Sequence, residues 1–245
     1  FTNGDFYKSR DFNEEELDLL FKKYLIILTK LRDLPISEKM LSYYLLDTTS
    51  EKFALFFERS NSRGVQLNFV DILSAKLYEG FRLRKEIERF ETDNPPYRLN
   101  EYVIVRAISY IVSEGKSVVR SYILSELTYS HFNTYWKTIT NLYKKALTWL
   151  HKNHFIVSQS WIPYENMLIP LIIFGYELKG HDYSQMSEAQ NRFLRYWYWA
   201  SIFSQRYSTS SNEVIIQDSN TLRQIAGSGK VRDRDVFGRF RPYIT

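Results

Sequence analysis

An apolar stripe at helical spacing opens the chain. Leu17, Leu20, Phe21, Tyr24, Leu28 and Leu31 fall on one face, which predicts a helix over about residues 14–31. Asn13 followed by three glutamates marks its start, because an Asn side chain accepts an orphan amide and an acidic first turn suits the helix dipole. Residues 41–47 form a short aliphatic and aromatic run between turn-formers and read as a strand. Thr48 with Glu51 has capping-box spacing, and Phe53, Phe56 and Phe57 mark the buried face of a helix that should stop by residues 61–64. Asn68 with Asp71 opens the next helix, carried by Phe69, Ile72, Leu73 and Leu77 toward a charged run over residues 82–91. Signs alternate along that run, so it reads as a solvated helix face rather than a binding patch. Asn94, Pro95 and Pro96 then break the chain and suggest a subdomain boundary, since proline cannot continue a helix and disfavours helical geometry before it.

Beyond the break the pattern is helix after helix. Leu99, Tyr102, Val103, Ala107, Tyr110 and Ile111 make one face, and Trp136, Ile139, Tyr143, Leu147 and Leu150 make another. Residues 167–178 are apolar nearly all round, which predicts a central buried helix with Pro170 in its first turn. Residues 187–206 read as a long helix with Phe193, Leu194, Trp197 and Tyr198 crowded on one side, and a last helix runs from Asn212 to about Ala226. No solenoid repeat or low-complexity tract is present.

Composition supports a helical reading. Aromatics are 17% of the 245 residues, against nine Gly and six Pro, which favours long bulky elements over a many-stranded sandwich. The aromatic stripes are expected to be core rather than a base-stacking platform. Zero cysteines exclude disulfides, thiolate zinc sites, iron–sulfur clusters and cysteine nucleophiles, and lean toward a cytoplasmic location. The longest apolar stretch, residues 167–176, is about half a membrane span, so no membrane partner is expected.

Net charge is +5, and residues 227–245 carry +3 of it: Lys230, Arg232, Arg234, Arg239 and Arg241 against Asp233 and Asp235. This tail has almost no helical periodicity and reads as a basic linker whose five cations could contact a nucleic-acid backbone. Catalytic chemistry is sparse. His151 and His154 are placed three apart on one helical face but have no third ligand at a recognisable interval, so no metal site is expected. Residues 227–230 imitate a phosphate loop, yet Gln224 stands where its first glycine belongs and Val231 where a Ser or Thr must follow the lysine. No nucleophile elbow, paired-histidine zinc helix or dinucleotide fingerprint appears.

The most informative segment is 51–78, a helix, a turn and a second capped helix. The turn, with Arg59, Asn61, Arg63 and Gly64, offers backbone amides, the positive end of the following helix and two guanidinium groups, so it could hold a phosphate. The simpler reading of the same residues is that Asn61 and Gly64 merely shape a tight interhelical corner. Phe57-Glu58-Arg59, Asn61-Ser62-Arg63-Gly64, Leu67 and Asp71-Ile72-Leu73 resemble the F-E-x-x-N-x-x-G-x-x-L-x-x-x-D-[IL]-[LI] signature of domain-of-unknown-function family 262, to which the GmrSD-type modification-dependent restriction enzymes belong. Residues 167–178, and especially 193–218 (FLRYWYWASIFSQRYSTSSNEVIIQD), are similar to that family's helical second half.

The family's D-G-Q-Q-R motif, carried on a ParB-like domain, is missing here. The one Gln-Arg pair, Gln205-Arg206, lies in the C-terminal helical stretch, and no His-Asn-His nuclease motif appears. The resemblance therefore implies the middle and helical part of a larger nucleotide-dependent protein of DNA restriction and phage defence, without a complete active site of its own. It implies a mainly α fold: a small α/β remnant of a ParB-like domain over residues 1–93, a helical domain over 94–226 and the tail over 227–245. DNA is the expected partner. A nucleoside triphosphate and a divalent cation are implied for the full-length protein, with no cofactor in this chain, and a homo-oligomer is left open. The competing reading is a noncatalytic helical module that binds a protein partner or regulates an attached enzyme.

Overall fold

The computed structural model describes residues 12–33, 68–209 and 212–229. The expected strand at 41–47, the capped helix beginning at Thr48 and the 61–64 turn lie outside the described residues. Among the described residues there are nine α-helices and no strand, so the fold is mainly helical. The chain divides into two compact units, Phe1–Phe56 and Phe57–Thr245.

In the first unit, α1 spans Glu14–Asp33. Its start is a reciprocal cap: the Glu16 amide donates to Asn13 Oδ1 at 2.9 Å, and the Asn13 amide donates to Glu16 Oε2 at 3.1 Å. The apolar residues do recur at helical spacing, but none of α1 is buried.

The second unit contains α2 (Phe69–Leu77), α3 (Leu83–Asp93), α4 (Glu101–Val112), α5 (Arg120–Glu126), α6 (Tyr129–Lys152), α7 (Leu168–Glu177), α8 (Glu188–Phe203) and α9 (Asn212–Ser228). The expected central helix is α7. Every residue from Leu168 to Gly175 is buried, and the helix packs against α9, α6 and α4. Pro170 sits in the first turn, where its missing N–H has no intrahelical partner to lose. A methyl group at Gly175 would come within 2.8 Å of Tyr183 and 2.9 Å of Leu142, so the bare backbone there permits the close approach of α6 and the 183–185 turn.

α4 is more deeply embedded than a single stripe predicts. Val103, Ile104, Val105, Ala107, Ile108, Ser109 and Tyr110 are all buried, because α5, α6 and α7 cover it from several sides; Tyr102 and Ile111 sit at the edge. Gly115 terminates it with φ of +83°, and its amide donates to the Tyr110 carbonyl at 2.7 Å. The Asn94–Pro96 break ends α3 but does not divide the core, since Phe90 before it and Leu99 and Val103 after it belong to one apolar cluster.

Side chains close the helix ends. Asn68 caps α2 in the expected box with Asp71, and Lys76 donates to the Leu124 carbonyl at 2.5 Å, neutralising the C-terminal end of α5. Burial there lowers the Lys76 pKa, opposed by the nearby Glu126 carboxylate. Gln190 serves two helices: its Oε1 accepts from the Ser187 amide at the start of α8, and its Nε2 donates to the Ile225 and Ala226 carbonyls at the end of α9.

Candidate nucleic-acid interface

The residues singled out from sequence do not meet in one described site. Arg59, Asn61, Arg63 and Gly64, and the tail cations Lys230, Arg232, Arg234, Arg239 and Arg241, lie outside the described residues. His151 and His154 do not share a helical face: α6 ends at Lys152, and His154 follows in a left-handed conformation with φ of 59°. No group of three or more metal-ligating His, Asp or Glu side chains is present among the described residues. Gly227 and Ser228 complete the last turn of α9 rather than forming a loop, which removes the resemblance to a phosphate cradle.

A basic surface that the sequence reading overlooked lies on α6. Its buried face carries Trp136, Ile139, Tyr143, Leu147 and Leu150, as expected. On a 100°-wide stripe away from that face stand Lys137, Asn141, Lys144, Lys145, Thr148 and Lys152, at helical spacings of three, four and seven. Lys137, Lys144 and Lys152 are exposed, and none of the four lysines pairs with a carboxylate among the described residues. The row from residue 137 to 152 is about 22 Å long at 1.5 Å per residue, about the rise of six successive phosphates along a duplex.

Beside this row is a cleft of about 540 Å³ where α6 faces the 182–186 segment and the first turn of α8. Lys145 Nζ donates to the His181 carbonyl at 2.6 Å, which fixes one wall. Asp182 is the acid in the lining. Its pKa is lowered, first by the Ser184 amide that donates to it at 3.0 Å, then by the charges of Lys145 and Lys152. The cleft is therefore cationic, with one acid already held by its own turn. The signal was present in the sequence: no Asp or Glu occurs from residue 127 to 164, while four lysines and three histidines do. Net charge over the whole chain hid it, because acids elsewhere cancel α6 in the total.

A second polar centre lies between α8 and α9. Asp218 is fully buried, and its carboxylate accepts from four donor atoms on three residues: Arg206 Nη2 at 2.7 Å and Nε at 3.1 Å, Trp197 Nε1 at 3.1 Å, and the Tyr207 hydroxyl at 2.7 Å. Burial of a charge is tolerated when it is paired and fully bonded, as here. Burial, and then the Asp218 charge, push the Tyr207 pKa well above its ordinary value, so its hydroxyl remains a donor. This network gives Arg206, Tyr207 and Asp218 a structural role at the junction of α8 and α9.

Tyr207 also reaches a cavity of about 490 Å³ lined by Asn100, Tyr102, Arg106, Tyr164, Glu165 and Asn166. Arg106 Nη1 donates to Asn166 Oδ1 at 3.1 Å, and Asn100 Nδ2 donates to the Glu165 carboxylate. Asn100 is simultaneously the α4 cap, accepting from the Val103 amide at 3.1 Å. Burial lowers the Arg106 pKa, and the neighbouring Arg120 charge adds to the effect. The Arg120 guanidinium carbon lies 5.5 Å from the Tyr102 ring centre and 5.4 Å from that of Phe69.

Comparison with known proteins adds one relative. The chain is 24% identical over 192 residues to an uncharacterised protein of the archaeon Methanocaldococcus jannaschii, MJ0686, a match covering 71% of this chain and 30% of that protein. The chain thus spans under a third of the length of the relative it matches. No protein-family profile matches it, and no solved structure does. Among the described residues no helix is long and apolar enough to cross a membrane.

Proposed function

We propose that this chain supplies the DNA-contacting helical body of a larger nucleotide-dependent protein of the DNA-restricting defence type. The observation that carries the reading is the acid-free lysine row of α6 beside its cationic cleft. Lysines spaced along one exposed helix face meet phosphates without reading bases, so this surface would position DNA rather than select a sequence. The resemblance to family 262 supports the same reading and extends it. The segment before α2 would be the remnant of a ParB-like domain, and Arg59, Asn61, Arg63 and Gly64 would approach a nucleotide or DNA phosphate there. The tail cations Lys230, Arg232, Arg234, Arg239 and Arg241 would add backbone contacts. The enzymatic step would belong to parts of the full-length protein beyond this chain.

The test is the affinity of the chain for a short DNA duplex between about 50 and about 200 mM salt. Four lysine–phosphate contacts predict a log–log slope of about −3 to −4, and steeper if the tail takes part. Replacing Lys144 and Lys152 by Gln should make the slope shallower by about 2. A flat salt response in the unaltered protein would reject DNA contact and leave the noncatalytic interaction module as the better reading.

A further inference from the structure

The Arg106 cavity has a charge imbalance that its own residues do not correct. Arg106 is partly buried, has Arg120 as its charged neighbour, and is bonded to a neutral amide, Asn166. Among the described residues neither arginine forms an ion pair. Partly buried guanidinium groups are ordinarily matched by a carboxylate or a bound anion, because their desolvation is otherwise uncompensated. Glu165 lines the same cavity, but its carboxylate receives the Asn100 amide instead of an arginine. The cavity therefore has a cationic end at Arg106 and an acceptor end at Glu165, with the amide of Asn166 beside the first; Arg120 stands outside the lining, over the Tyr102 ring, and its charge acts on Arg106. The Tyr102 and Tyr164 rings lie on its lining. At about 490 Å³ it lies within the range of small-molecule sites and exceeds what a bare anion needs.

We propose that this cavity binds a nucleoside monophosphate unit, with its phosphate at Arg106, in the positive field that Arg120 adds from outside the lining, and its base toward the tyrosines and Glu165. The planar Arg106 guanidinium provides fork-shaped donors for phosphate oxygens, and Arg120 adds a second positive charge nearby. Tyrosine rings accept a flat heterocycle by stacking, and a carboxylate and an amide offer an acceptor and a donor to base edges. The inference is independent of the α6 lysine row: none of the four lysines lines this cavity. The unit could be a free mononucleotide or one nucleotide of a strand, and the chemistry at the arginines is the same.

Calorimetric titration of the full chain with nucleoside 5′-monophosphates, the corresponding unphosphorylated nucleosides, inorganic phosphate and a short single-stranded oligonucleotide tests this. Binding of the monophosphates, with at least about tenfold weaker binding of both nucleosides and inorganic phosphate, is expected if the unit is free. Preference for the oligonucleotide over the monophosphates, lost in the same variants, identifies the strand as its source. R120Q changes an exposed residue and should weaken the preferred ligand about tenfold or more with the melting temperature unchanged. R106M should abolish binding while leaving the melting temperature equal or higher, since it removes an unmatched charge. Unchanged binding in R120Q, a nucleoside that binds as tightly as its monophosphate, inorganic phosphate that binds as tightly as either, or no binding in any arm would overturn the proposal. K144Q/K152Q should keep the monophosphate response even where duplex affinity falls, so failure here is distinguishable from failure of the DNA reading.

Discussion

α3 holds three cations and four acids in eleven residues, whereas α6 holds four cations and no acid in twenty-four. On α3, Arg84 pairs with Asp71, Arg89 approaches Glu86 at 3.8 Å, and Glu91 receives Arg98 at 3.1 Å while also accepting the Leu99 amide. More than half of the charge there is met locally, within α3 and in contacts with neighbouring segments, while Lys85, Glu88 and Asp93 form no ion pair among the described residues. On α6 the lysines lie along one stripe and form no ion pair among the described residues; the one acid beside them, Asp182, is held by its own turn. Charge density alone does not separate a solvated face from a binding face; what separates them is whether each charge meets its opposite within the same fold. Arg206 and Asp218 form a third arrangement, in which a pair is matched and also removed from water.

The largest effect is expected where pairing and burial coincide. D218N should cost about 3–5 kcal/mol, because it leaves the Arg206 charge unanswered in a partly buried site; chemical denaturation would measure it. An equal loss in R206A, and a double variant less damaged than the sum, would show that the two act as one unit.

Reversal on the unmatched face should follow. K144E/K152E is expected to weaken duplex DNA binding by about 10- to 100-fold at low salt while changing stability by less than about 0.5 kcal/mol. The matched face supplies the contrast: R84E/R89E should change DNA affinity by less than about threefold, with a stability loss no greater than about 1 kcal/mol for surface pairs. If the α3 variant lost as much DNA affinity as the α6 variant, local pairing would not be the deciding property.

A smaller effect concerns alkaline pH. Burial raises the Tyr198 pKa to about 12, and Tyr110, Tyr143, Tyr183 and Tyr207 shift in the same direction. An exposed tyrosine in the unfolded chain ionises near pH 10, so above that pH the unfolded state releases protons that the folded state keeps. Stability is thus fully present below about pH 10 and declines as pH rises toward 12. Thermal melts across this window should fall monotonically, and the share of tyrosinate absorbance that belongs to these buried groups should appear together with unfolding. Y198F should flatten the decline slightly, since it removes one of the shifted groups.

Much of this molecule was legible from periodicity. The α7 helix was expected because residues 167–178 leave no polar face, and α2 and α8 begin at the side chains the capping rules select, Asn68 and Ser187. The α4 helix was read as too narrow, because a stripe pattern identifies the first covering neighbour but not the second and third. Interpreting Asn94, Pro95 and Pro96 as a boundary treated a local property, the inability to continue a helix, as evidence about long-range packing, which it does not contain. The candidate interface was missed for a different reason. Summing charge over the chain discarded the 38 residues from 127 to 164 in which no acid occurs. The Arg106 cavity had no linear signal at all, since Asn100, Arg106, Glu165 and Tyr207 meet only through the packing of α4 against the segments after α6 and α8.

The attachment of α9 has a mechanical consequence. The described part of α9 is held at two levels: the Ile225 and Ala226 carbonyls by Gln190, and Asp218, two turns earlier, by Arg206, Trp197 and Tyr207. A pull on its end meets the Gln190 bonds first and the buried carboxylate second, in series. A load on the C-terminal end of α9 would therefore pass to α8, which carries Gln190 and Trp197, and to the turn that carries Arg206 and Tyr207.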